Sequence, residues 1–172
     1  MRTEINTYLM AGDSAPRLPK SQFPLAVEGR PTPRRIALLA EDNLADVLLI
    51  QEAIELHAVP IDLHVVEDGE KALEFIERAE NDPDFPCPDV LLLDLNLPKR
   101  SGKEVLQRVR QSEKCKDILV LIITSSDLSK DREDLAGLGA NHYFRKPTSY
   151  EQFLKVGEVL KALLETGKPI KH

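Results

Sequence analysis

Cysteine is nearly absent: Cys87 and Cys115 stand 28 positions apart, with no CxxC pair and no histidine cluster beside either. Neither a disulfide framework nor a structural zinc site is indicated, and the two side chains read as reduced cytosolic thiols. Long apolar runs are missing as well. No stretch approaches the roughly 18 residues of a membrane span, and the first thirty residues lack the apolar centre of a secretory leader, so the chain reads as cytoplasmic without membrane attachment. An excess of positive charge is also lacking. With 23 basic and 29 acidic residues the net charge is -6, which offers no overall attraction to nucleic-acid phosphates and argues against direct nucleic-acid binding. No internal repeat is visible. What is present is a globular balance, 42% hydrophobic and 30% charged over 172 residues. At about 150 residues per domain this allows one domain and a short remainder.

The remainder falls at the start. Residues 1–34 hold five of the twelve prolines and show neither a helical nor a strand period, the composition of an extended arm. Five basic residues against three acids give the arm +2 and leave -8 for residues 35–172. Beyond it, Ile36–Ala40, Val90–Leu93 and Ile118–Ile123 are continuous apolar runs, as central parallel strands covered on both faces must be. Ile61–Val66 reads as another strand, and His142–Phe144 as a short one before Pro147. Helical spacing predicts one helix around Leu49, Ile50, Ala53 and Ile54, and others over Lys71–Glu80, Lys103–Gln111, Lys130–Leu138 and Glu151–Leu164. Five β-α units in succession imply an α/β fold, an open parallel sheet with helices on both faces. Ligands of such folds gather beyond the carboxyl ends of the strands.

That edge collects the chemistry. Glu41 and Asp42 follow the first strand, Asp94 ends the third, Thr124 ends the fourth and Lys146 follows the fifth. Three carboxylates in one crevice repel one another unless a cation lies between them, and an all-oxygen set suits magnesium. A hydroxyl and an ammonium complete an anion site. The set can perform phosphoryl transfer to Asp94, forming an aspartyl phosphate.

With these residues placed, Arg35 to Leu164 resembles the receiver domain of two-component response regulators. Glu41-Asp42 is similar to the acidic pair of that family, Asp94 to its phosphoacceptor, Thr124 to its switch hydroxyl, Tyr143 to its switch aromatic, and Lys146-Pro147 to its lysine and a following proline that is usually cis. Asp94 and Thr124 are 30 apart, and Thr124 and Lys146 are 22 apart, as in the family. The stretches Glu41-Asp42-Asn43, Asp94 to Lys99 and Thr124-Ser125-Ser126, with the longer segment Asn81–Pro88, further resemble single-domain regulators paired with phytochrome-type histidine kinases. The resemblance implies a doubly wound, flavodoxin-like sheet of order 2-1-3-4-5, with an arm over 1–34, the receiver over 35–165 and a tail over 166–172. Asp94, Lys146 and Thr124 are then the catalytic set, and Thr124 and Tyr143 the switch. Asn96 and Ser126 tune phosphoryl lifetime, and Glu41, Asp42, Asp94 and the backbone carbonyl of Asn96 are ligands of Mg2+. A histidine kinase, in particular a bacterial phytochrome, is the expected partner. No enzymatic activity is expected beyond self-phosphotransfer and slow autodephosphorylation. The leader and Leu119, where many receivers have a proline, depart from the pattern without touching the site.

Acids after a strand are often solvated turn formers, a lone threonine is more often a helix cap, and a lone lysine a surface charge. Only their joint spacing favours a site. Asp46 shares the inward stripe of its helix near the acidic pair, but an acid in a first helical turn also suits the helix dipole, and that reading is preferred. Gly102 is read as permitting a backbone turn. His57, His64, His142 and His172 show no ligand spacing. An aspartate-nucleophile phosphatase of the haloacid dehalogenase type has the same ingredients, yet it places its nucleophile on the first strand and an acid two residues later, where this chain has Asn96. A phosphorylation-independent interaction module would lack the complete set. A flavodoxin-like cofactor carrier needs a phosphate-cradling loop where this chain is acidic. Finally, Phe153, Val156, Leu160 and Leu164 form a stripe fit for the sheet, while Leu154, Val159 and Leu163 widen it. The excess predicts a homodimer through the face built by the helix at 130–138, the fifth strand and the last helix.

Overall fold

Strands arise where apolar residues run without interruption, because a strand covered on both sides has no solvent face to mark with polar residues. A computed structural model describes residues 34–126 and 137–167. Within them β1 (Arg35–Ala40), β2 (Ile61–Val66), β3 (Val90–Leu93), β4 (Leu119–Thr124) and β5 (His142–Arg145) pair in parallel in the order β2-β1-β3-β4-β5. The expected flavodoxin-like sheet is the observed one. Ala40 lies level with Val66 and Leu93, and Leu93 with Ile122, so β1, β3 and β4 end near one another at a single edge.

The connecting helices start where the sequence supplies caps. Asn43 caps α1 (Leu44–Leu56), Asp68 caps α2 (Gly69–Asn81), and Ser101 with Glu104 forms a capping box on α3 (Gly102–Gln111). Such caps contribute about 1 kcal/mol each. The predicted final helix is broken into α4 (Tyr150–Phe153) and α5 (Val156–Thr166), hinged at Leu154 and Lys155. The predicted helix over Lys130–Leu138 falls on 127–136, outside the described residues apart from its last two positions, and so do 1–33 of the predicted arm and 168–172 of the tail.

Alternation along the strands divides the core. Leu38, Ala40, Leu91 and Leu93 face α2 and α3, whereas Ala37, Leu39, Val90 and Leu92 face α1 and α5. The second layer corrects the dimer argument. Val159 and Leu163 are buried in this domain, and Leu154 packs against the same cluster. The apolar stripe of α5 is wide because the helix has two neighbours, the sheet and α1. Gly157 permits that approach: a Cβ there would lie 2.3 Å from the Ala53 carbonyl oxygen. Three residues read as surplus surface are therefore core or packed against it.

Two further expectations change. Cys87 and Cys115 form a disulfide with Cα atoms 5.5 Å apart. Separation along the chain hid this, because the segments preceding β3 and β4 are brought side by side when those strands pair. The Lys146–Pro147 peptide is trans, the isomer that X–Pro bonds favour by about 0.5–1 kcal/mol.

Candidate phosphoacceptor site

The site assembles because three neighbouring strands end in polar residues. Glu41 and Asp94 follow directly on β1 and β3, and the Asp94 amide donates to the Ala40 carbonyl at 3.0 Å, extending the sheet by one rung. Thr124 closes β4, fully buried, and its carbonyl accepts the Lys146 amide at 2.9 Å. The expected convergence of these groups is observed.

Lys146 is the centre of the cluster. Its Nζ donates to Glu41 Oε2 at 2.7 Å, to Asp94 Oδ2 at 2.7 Å and to Asp46 Oδ2 at 2.8 Å. An ammonium has three protons, and each has one carboxylate acceptor. Burial alone would lower the lysine's pKa, but the three acids outweigh it and raise it, so the side chain is firmly cationic. Glu41 shows the other side of this sharing. Burial pushes its carboxyl up, and a third share of one ammonium only partly offsets that cost.

Asp42 lies beside them, exposed, and Glu41, Asp42 and Asp94 each offer a carboxylate oxygen within 4.8 Å of the others. An all-carboxylate set with one solvent-facing member fits a hard divalent cation that keeps some of its water. The loop after β3 is fixed to α2: Lys99, at φ 64, pairs with Asp68 at 2.8 Å and Glu70 at 3.1 Å, and the Gly69 amide donates to the Pro98 carbonyl at 3.2 Å. This holds Asn96, whose amide donates to Asp94 Oδ1 at 3.0 Å. Gly102 is needed for proximity: it opens α3, and a Cβ on it would sit 2.3 Å from the Asp94 carbonyl oxygen.

The two residues singled out as tuning positions touch. Asn96 Nδ2 donates to Ser126 Oγ at 2.9 Å, and the Ser126 amide donates to Thr124 Oγ1 at 3.3 Å. Tyr143 is half-buried against the core layer under α2 and α3. The dipole reading of Asp46 is incomplete, since its carboxylate is spent on Lys146. The signal that finds it is its place four residues after Asp42, one helical turn past the acidic pair on the inward stripe.

Comparison with known proteins agrees with this geometry. Residues 37–157 match the family model of the response regulator receiver domain. Response regulator Rcp1 of Synechocystis sp. is 33% identical over 135 residues, 78% of this chain and 92% of the relative. Two crystal structures are similar in fold: the phosphorylated cyanobacterial phytochrome response regulator RcpA, with TM-score 0.70 and 29% identity over 81% of this chain and 99% of the other, and the Mn(2+)-bound form of Rcp1, with TM-score 0.67 and 30% identity over 80% and 99%. The bacteriophytochrome response regulator AtBRR is 34% identical over 81% of this chain and 96% of its own, with TM-score 0.61. The chain belongs to the response regulator receiver family.

Proposed function

We propose that Asp94 is the phosphoryl acceptor of this response regulator and that Glu41, Asp42, Asp94 and the Asn96 carbonyl hold a magnesium ion. The observation that carries the reading is the Lys146 ammonium 2.7 Å from Asp94, beside three carboxylates clustered within 4.8 Å. A carboxylate oxygen of Asp94 attacks the phosphorus of a kinase phosphohistidine. The P–O bond forms as the P–N bond breaks, and the imidazole departs with the bond electrons and the proton on its other ring nitrogen. Magnesium, when bound, would neutralise charge on the acids and on the phosphoryl oxygens. Lys146 and Thr124 supply an ammonium and a hydroxyl to those oxygens. As Thr124 turns toward them it vacates space next to β5, and Tyr143 follows, which carries the signal to the surface. Asn96 and Ser126 are neutral and offer no acid or base to an attacking water, so loss of the phosphoryl group is slow.

The partner reading rests on two supports. RcpA, a phytochrome response regulator, and AtBRR, a bacteriophytochrome response regulator, point to a phytochrome-type histidine kinase. Leu44 and Leu48, 71% and 57% exposed, lie in the first two turns of α1, directly after the acidic pair, and offer a kinase an apolar contact beside the acceptor. Self-association is not part of the reading, because the residues that argued for it belong to the core. Phosphotransfer from the source organism's histidine kinases tests the pairing: a phytochrome-type kinase is expected to phosphorylate this chain fastest, and equal transfer from all of them would overturn it.

A further inference from the structure

Lys146 has three carboxylate partners, and they do not have the same prospects. Glu41 and Asp94 belong to the cation cluster, and Asp94 is also the proposed acceptor. Once a cation and a phosphoryl group claim those two, their oxygens are no longer free for the lysine. Asp46 is outside the cluster and keeps its contact of 2.8 Å. Its place is fixed from below: it lies in the first turn of α1, whose start is capped by Asn43 Oδ1 accepting from the Ala45 amide at 2.9 Å. Lys146, by contrast, is a long, flexible side chain with rotamer freedom to lose. A lysine with no anchor of its own must either leave the acceptor or compete with the cation for Glu41 and Asp94.

We infer that Asp46 is a positioning residue of this site, whose carboxylate holds the Lys146 ammonium over Asp94 while Glu41 and Asp94 turn to the cation and the phosphoryl group. The inference rests on the reading of Asp94 as acceptor. It differs from a helix-dipole role, which would act on stability alone and would be indifferent to the identity of residue 146.

A double-mutant cycle on the rate of phosphorylation by phosphoramidate at saturating Mg2+ separates the two. Asp46→Asn is expected to slow labelling about five- to tenfold in the Lys146 background and to have no further effect on Lys146→Met. Asp46→Glu, which keeps the charge on a longer arm, is expected to restore at least about half of the lost rate, and it serves alone should Lys146→Met fail to fold. An Asp46→Asn rate within about twofold of wild type overturns the inference. So does an equal slowing in both backgrounds, or an Asp46→Glu rate as low as that of the asparagine variant. If wild type itself takes no label, the acceptor reading fails and this inference with it, whereas a labelled wild type with an unaffected Asp46→Asn variant removes the inference alone.

Discussion

At the amino-terminal edge of the sheet the Arg110 guanidinium is spent on fixed acceptors: the carbonyls of Lys116, Ile118 and Gly139, and the amide oxygen of Asn141, which in turn accepts from the Val120 amide. At the carboxyl-terminal edge one ammonium, Lys146, is divided among Glu41, Asp46 and Asp94, with Asp42 close by. The first edge is saturated. Backbone carbonyls cannot move away, and the Cys87–Cys115 bond closes the same end covalently. The second holds more negative charge than its lysine can balance, a setting that favours a divalent cation between the carboxylates. One sheet thus keeps its stability at one end and its reactivity at the other.

Removing the disulfide gives the largest effect that separates the edges. Cross-linking a loop of 28 residues stabilises by about 3–4 kcal/mol in the chain-entropy account. A Cys87→Ser, Cys115→Ala variant should lose that much in urea unfolding, while its labelling rate stays within about twofold of wild type. A loss of labelling in the folded variant would break the division.

Lys146→Met attacks the other edge. It leaves Glu41 and Asp94 buried without their cation, at a cost of about 3 kcal/mol. Here Mg2+ should restore most of the lost stability, whereas it should stabilise the cysteine variant only as much as it stabilises wild type. Unfolding curves with and without Mg2+ check both statements.

A smaller effect appears in acid. Arg108 donates to Glu80 at 2.5 Å near the amino-terminal edge, and this hydrogen bond, with that of Ser112, holds the Glu80 carboxyl down at about 2 from its ordinary 4.5. A depressed carboxyl stabilises the fold above its unfolded value, and that stability is lost as pH falls from 4.5 toward about 2. Arg108→Ala should flatten the stability profile over this window and leave it unchanged near pH 7 in slope.

The smallest effect is a gain. Ala58 closes α1 at φ 48, with the Val59 amide bonded to the Ile54 carbonyl at 3.0 Å and the Ala58 amide to the Glu55 carbonyl at 3.1 Å. That left-handed position suits glycine. Ala58→Gly should stabilise by about 0.5–1 kcal/mol, as read from the urea midpoint, without altering labelling.

The reactive edge was more legible in the sequence than the saturated one. Strand ends such as Asp94 and Thr124 follow directly on unbroken apolar runs, so their positions could be read along the chain, and β2 and β3 begin and end where their runs do. Polar chemistry at the opposite edge depends on tertiary neighbours. Nothing in the spacing of Cys87 and Cys115 shows that they lie on adjacent strand entries, and Arg110 reads as one more helical charge. The width of the α5 stripe was visible at Val159 and Leu163, but its cause, a second helix packed at Gly157, was not. Asp46 was seen on the correct face and assigned the weaker of its two roles, because periodicity locates a side chain without naming its partner.

The central claim, that Asp94 at the carboxyl-terminal edge accepts the phosphoryl group, is tested most directly by trapping the product. After reaction with phosphoramidate and Mg2+, reduction of an acyl phosphate by borohydride converts the modified aspartate to homoserine, which peptide mass mapping locates. Homoserine at position 94 in wild type, and at no position in Asp94→Asn, is the predicted result; homoserine at Asp42 or Asp46 in wild type, or full labelling of Asp94→Asn, would contradict it.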